Sequence, residues 1–182
     1  MEVIQTAIAD VKLLRPRALS DERGWFAELF NAERLAEHGL LHAFVQENQA
    51  FSPTAGTLRG LHWQAPPFAQ SKLVRVARGA ALDVAVDLRP GSTTFGRHVA
   101  IELSAENRLQ LLVAKGFAHG FLTLVPATEV VYKVDAPYAP AHECGVAFAD
   151  PELAIAWPDP PGVRVVSARD LALPMLGELP SC

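Results

Sequence analysis

Along this chain, short stretches of alternating apolar and polar residues are broken again and again by glycine and proline. In Leu82-Asp83-Val84-Ala85-Val86-Asp87-Leu88 the large apolar side chains alternate with Asp83, Ala85 and Asp87. A period of two sends successive side chains to opposite faces of a strand, so this run predicts a half-buried β-strand. Further strands are predicted over residues 44–51, 72–77, 98–103, 109–113 and 129–134, with a turn over 104–108. Residues 31–38 alone carry a clear helical pattern, with Asn31 placed to cap the start and Gly39 to stop the end. A second short helical turn is expected after Ser167. Many strands spaced by turns and little helix predict an all-β fold, an antiparallel sandwich or barrel. A barrel encloses space, so polar side chains on its strands can face a ligand rather than water.

Composition narrows the functional classes. With 182 residues the chain is expected to form a single domain over 1–182. A formal charge of -4 argues against a broad nucleic-acid or membrane surface, both of which need excess Lys and Arg. A small anion is still admissible, because two or three placed cations can hold a phosphate. The start of the chain has no signal-peptide pattern, and no run approaches the roughly 18 apolar residues of a membrane span. Cys144 and Cys182 are too few for a disulfide framework or a zinc cage and are read as reduced thiols. A cytoplasmic protein is expected.

Four segments concentrate polar chemistry. The first is 21–28, Asp-Glu-Arg-Gly-Trp-Phe-Ala-Glu, a turn entering a mixed aromatic stretch. The second is Gln46-Glu47-Asn48, where alternation puts Gln46 and Asn48 on one face. Taken alone, that pair reads as two satisfied amides on an exposed strand. The third is Leu58-Arg59-Gly60-Leu61-His62-Trp63-Gln64, followed by Gln70-Ser71-Lys72-Leu73-Val74. Flanking cations would depress the pKa of His62 and keep it neutral, as a general base requires, and Gly60 permits close backbone approach. A buried structural histidine fits that segment equally well. The fourth is Lys115-Gly116-Phe117-Ala118-His119-Gly120-Phe121. No metal is expected there, since the close histidine pair with one residue between is absent and no third ligand is evident. Tyr132 shares a strand face with Val130 and Val134. Asp170 either orients a histidine or caps the turn around it.

Taken together, these segments resemble the dTDP-4-dehydrorhamnose 3,5-epimerases. The resemblance rests on DERGWFAELF, on VQENQAFSPTAGTLRGLHWQAPPFAQSKLVRV and the residues after it, and on GFAHGF, VYKVDAPYAP, DPELAIAWP and SARD, in the family's order from about 20 to 175. RGLH, QxKLVRV and GFAHGF in that order are highly specific. The resemblance implies a cupin-type jelly-roll barrel, a homodimer, a dTDP-linked 4-keto-6-deoxyhexose as substrate, no cofactor and no metal, and a place in deoxysugar supply. It implies that His62 is the proton acceptor and that Asp170 holds its imidazole. Tyr132 would be the proton donor, and Lys72 would stabilise the enolate at the 4-keto oxygen. Arg23, Phe26, Glu28, Gln46, Glu47, Asn48, Arg59, His119, Glu143 and Arg169 match substrate-contact positions, and Tyr138 a tyrosine that stacks on thymine.

Some positions depart from the family pattern. Arg169 stands where lysine is usual, which keeps the charge and changes the geometry. Ala114 stands where proline is frequent, and Phe148 and Ala149 where tryptophan and asparagine are frequent. None of these removes a reacting group. The rival expectations are an epimerase acting at one carbon only, and a barrel that binds a sugar nucleotide without turnover.

Overall fold

The computed structural model describes residues 1–40, 42–159 and 162–179. Cys182 lies outside the described residues. In chain order the strands open with β1 (Glu2–Gln5), β2 (Val11–Arg15), β3 (Ala18–Asp21) and β4 (Gly24–Ala27). Helix α1 (Ala32–Glu37) follows, then β5 (Gln46–Ser52), β6 (Thr57–Gln64), β7 (Lys72–Arg78) and β8 (Ala80–Asp87). Next come β9 (His98–Ser104), β10 (Gln110–Val113), β11 (Phe117–Thr123) and β12 (Thr128–Val134). The chain closes with β13 (Glu143–Gly145), β14 (Val165–Val166) and α2 (Ala168–Leu171).

Two sheets form an antiparallel jelly-roll. One runs β1-β2-β10-β7-β12-β5 and the other β13-β6-β11-β8-β9, with β14 added to β6 in parallel. Strands β3 and β4 make a separate hairpin. Between the sheets lies the main core. Val11, Val74, Val76, Leu111 and Val130 from the first sheet meet Ala81, Ala85, Val99, Leu103, Phe117 and Phe121 from the second.

Both outer faces are covered as well. Leu35 of α1 packs with Leu14, Leu73 and Leu112 on the first sheet. On the second, Leu61, Val84, Val86 and Ala118 are covered by Val146, Leu153, Phe148 and Trp157 from the C-terminal stretch. This cover corrects the expectation of a half-buried β8. Asp83, Val84, Ala85, Val86 and Asp87 are all buried, because the core takes one face and the C-terminal stretch the other.

Local signals act as expected at the helices. Asn31 Oδ1 accepts from the Arg34 N–H at 3.1 Å, and Gly39 takes φ +74°, which ends α1. Ser167 Oγ accepts from the Asp170 N–H at 3.1 Å and caps α2. Among the described residues no helix is long and apolar enough to cross a membrane.

Candidate active site

A cavity opens between the two sheets in two lobes, of about 490 and 300 Å³, and His62, Lys72 and Tyr132 line both. His62 comes from β6 in one sheet, whereas Lys72 on β7 and Tyr132 on β12 come from the other. A ring held between them would therefore meet His62 from one wall and Tyr132 from the opposite wall.

The backbone around His62 is unusual. Arg59 and His62 are three residues apart, so a regular strand would send them to opposite faces. The pairing of β6 with β11 slips between His119 and Phe121, where His119 faces His62 but Phe121 faces Arg59. This bulge resets the alternation, and both side chains line the larger lobe. Gly60 makes the crossing possible. A Cβ there would lie 2.7 Å from Gly120 Cα and 2.8 Å from the His119 carbonyl, and its φ is +117°. The expected close approach at Gly60 is thus to the neighbouring strand.

Asp170, 5% exposed, reaches from α2 to the same place. Its Oδ1 lies 2.9 Å from His62 Nε2, and Oδ2 accepts the Gly60 N–H at 3.1 Å. With Nε2–H donating to the carboxylate, the imidazole lone pair falls on Nδ1. Of the two readings of Asp170, the contact to His62 is the one present, since Ser167 does the capping.

Electrostatics prepare these groups differently. The His62 pKa is lowered, chiefly by burial; Asp170 pulls it up and Lys72 adds a smaller downward push. Flanking cations were expected to lower it, but burial leads and Lys72 is the cation that contributes. Lys72 is buried, donates to the His62 carbonyl at 3.1 Å, and burial brings its pKa down to about 8 against the pull of Asp83 and Glu143. Burial raises the phenol of Tyr132 above its usual range, so it holds its proton.

The remaining expected residues divide into two groups. Arg59, His119 and Arg169 line the larger lobe, and Gln46, Asn48, Tyr138 and Glu143 the smaller. Gln46 and Asn48, read alone as amides on an exposed face, instead face the cavity and bond each other at 2.8 Å. Glu143 accepts from the Tyr138 hydroxyl at 2.6 Å and from Arg169 at 2.8 Å. Burial pushes its carboxyl up, but these two bonds outweigh that and hold it low.

Arg23, Phe26, Glu28 and Glu47 line neither lobe. Glu47 points to the other face of β5 and pairs with Lys133. Glu28 pairs with Arg34 at 3.2 Å and accepts from Asn31. Arg23 pairs with Asp21 on the β3–β4 hairpin, where Trp25 and Phe26 stand 55% and 71% exposed. Two residues that support the cavity were given no role in the sequence reading. Gln64, buried on β6, bonds the carbonyls of Phe68 and Pro137 and accepts from the Ala139 N–H, which places the loop carrying Tyr138. Asp83 bonds His119 at 2.9 Å. A carboxylate inside an apolar strand was the available signal for Asp83, shared with Asp87. Among the described residues no three His, Cys, Asp or Glu side chains converge as a metal site would need.

The family model for dTDP-4-dehydrorhamnose 3,5-epimerase matches residues 5–178. A dTDP-4-dehydrorhamnose 3,5-epimerase of Sinorhizobium fredii is 49% identical over 174 residues, covering 96% of this chain and 89% of that protein. The crystal structure of the Bacillus anthracis enzyme of that name, with TDP and PPi bound, superposes with TM-score 0.92 at 50% identity, covering 96% of this chain and 98% of that one. A Legionella pneumophila dTDP-6-deoxy-D-glucose-3,5-epimerase in complex with dTDP-4-keto-L-rhamnose gives TM-score 0.94 at 42% identity, covering 98% and 94%.

Proposed function

The chain belongs to the dTDP-4-dehydrorhamnose 3,5-epimerase family, and we propose that it inverts C3 and C5 of dTDP-4-dehydro-6-deoxyglucose through enolate intermediates. The observation that carries this reading is that His62 and Tyr132 approach one cavity from opposite sheets. Inversion needs a proton taken from one face of a carbon and returned to the other. An acid and a base on the same wall would only exchange it.

In this reading the protons on C3 and C5 are acidic because the C4 ketone accepts the charge. Nδ1 of His62 takes the proton, and Asp170 stabilises the imidazolium and holds the ring in place. The ammonium of Lys72 meets the oxygen as it becomes an enolate. The phenol of Tyr132 then delivers a proton to the opposite face. Arg59 and Arg169 flank the larger lobe and suit the diphosphate through charge-assisted bonds. Tyr138 at the smaller lobe suits stacking on thymine. No step calls for a metal or an organic cofactor.

A homodimer accounts for Arg23 and Phe26. Both lie on a hairpin apart from the cavity, with Leu19, Trp25 and Phe26 exposed. A second copy would cover that apolar surface and bring the hairpin to a site.

Turnover in heavy water tests the reaction. Deuterium is expected at both C3 and C5 of the product, with inverted configuration. Label at one carbon makes the protein a one-carbon epimerase, and no label makes it a binding barrel.

A further inference from the structure

Two histidine–aspartate pairs lie side by side in this cavity, and the reaction above uses only one. His62 and His119 are direct cross-strand partners on β6 and β11. His119 Nε2 lies 2.9 Å from Asp83 Oδ1, with the two residues 6% and 1% exposed. Among the described residues His119 is the only hydrogen-bond partner of the Asp83 carboxylate. A carboxylate so buried and so sparsely bonded needs a positive charge to face it.

Lys72 meets that need. It lines the same lobe as His119 and is buried. The groups around it are Asp83 from β8, Glu143 from β13, His62 from β6 and Tyr132 from β12. Of the two carboxylates, Asp83 exerts the larger pull in favour of its charged form.

We propose that Asp83 is a positioning residue of the reaction, which keeps the ammonium charge of Lys72 in place and holds His119 with its proton on Nε2. The proposal rests on the epimerase reading. The enolate oxygen needs a charged Lys72, and a buried lysine with no facing carboxylate gives up its proton. His119, with Nε2–H committed to Asp83, presents Nδ1 to the cavity as an acceptor for a sugar hydroxyl.

Asp83→Asn tests this, because it keeps the size and an acceptor oxygen for His119 while removing the charge. The readout is deuterium wash-in to dTDP-4-dehydro-6-deoxyglucose as a function of pH. The alkaline limb of the profile is expected to move to lower pH by about one pH unit, since an opposite charge nearby shifts a pKa by about that much. Asp83→Glu restores the charge and is expected to bring the limb back. A folded Asp83→Asn protein whose alkaline limb has not moved overturns the proposal. Should that variant fail to fold, ¹⁵N NMR of the wild-type histidine rings decides: a proton on His119 Nε2 is expected, and a bare Nε2 overturns it. Failure of the epimerase reading itself has a different signature, no wash-in by the wild-type protein at any pH.

Discussion

Asp83 and Asp87 stand on the same strand face, both buried, and roughly 13 Å apart along β8. Asp87 is saturated. It accepts from the Arg89 N–H, Nε and Nη2 at 3.0, 2.9 and 2.7 Å, and from the hydroxyls of Ser92 and Thr94, each at 2.6 Å. Burial alone would raise its pKa, but these bonds hold the carboxyl well below the usual range. Arg89 also pairs with Asp10 at 2.8 Å and lies 4.6 Å over the Phe117 ring, which ties the connection between β8 and β9 to the barrel. The Asp83 carboxylate has one hydrogen bond, to the cavity-lining His119, and pulls on the charge of the cavity lysine Lys72. One carboxylate has all its acceptor capacity taken up by the fold. The other keeps some for electrostatics inside the site. The same residue type on the same face serves structure where donors surround it, and chemistry where space does.

The predictions separate these two regions. The largest effect is expected in the cavity: His62→Ala should lower turnover by roughly 10²–10⁴-fold or more, the usual cost of losing a general base. Circular dichroism and nucleotide binding should stay near wild-type, and near-normal turnover would remove His62 from the mechanism. Tyr132→Phe comes next, with inversion reduced by about 10²-fold or more. Solvent deuterium should still enter, with retained configuration, because His62 returns a proton only to the face it came from. Full inversion at the wild-type rate would make Tyr138 the next candidate acid.

At the other end of β8 the sign of the comparison reverses. Asp87→Asn is expected to cost about 2–3 kcal/mol of stability, in line with hydrogen bonds to a charged group, while kcat is unchanged. The wild-type stabilisation is present above the unfolded aspartate pKa of about 4 and is lost as pH falls toward the depressed folded value. Urea titrations should therefore show the gap between the two proteins narrowing below about pH 4.

A gentler effect is expected from pH alone. His62 must be neutral and its pKa is lowered, so kcat/KM should rise on the acid side below the usual histidine range. Lys72 must be charged, so activity should fall through about 8. An alkaline limb near 10 would assign that role to another group. The smallest expected effect is none: exhaustive chelation should leave turnover untouched, and lost activity restored by a metal would break the cofactor-free reading.

Much of this was legible in the sequence. Strand-like patterning marked six of the barrel strands, β5, β7, β8, β9, β10 and β12, and Asn31 and Ser167 announced their helices, because capping is a local contact between a side chain and a backbone N–H a few residues on. The resemblance in RGLH, QSKL, VYK and SARD pointed to His62, Lys72, Tyr132 and Asp170, which the fold brings to one cavity. Strands β6 and β11 escaped the pattern, since glycines and polar groups interrupt their alternation where two backbones press together.

Other features were decided only by tertiary structure. Alternation tells which residues share a face but not what covers that face. For this reason β8 looked half-buried until the C-terminal stretch was laid on its outer side, and Gln46 and Asn48 looked solvated until the second sheet was set opposite them. Arg59 and His62 lie on one side only because a bulge slips the register, and a register belongs to two strands rather than one. Burial, more than the neighbouring cations, lowers the pKa of His62, and burial is a sum over distant segments that no local pattern contains.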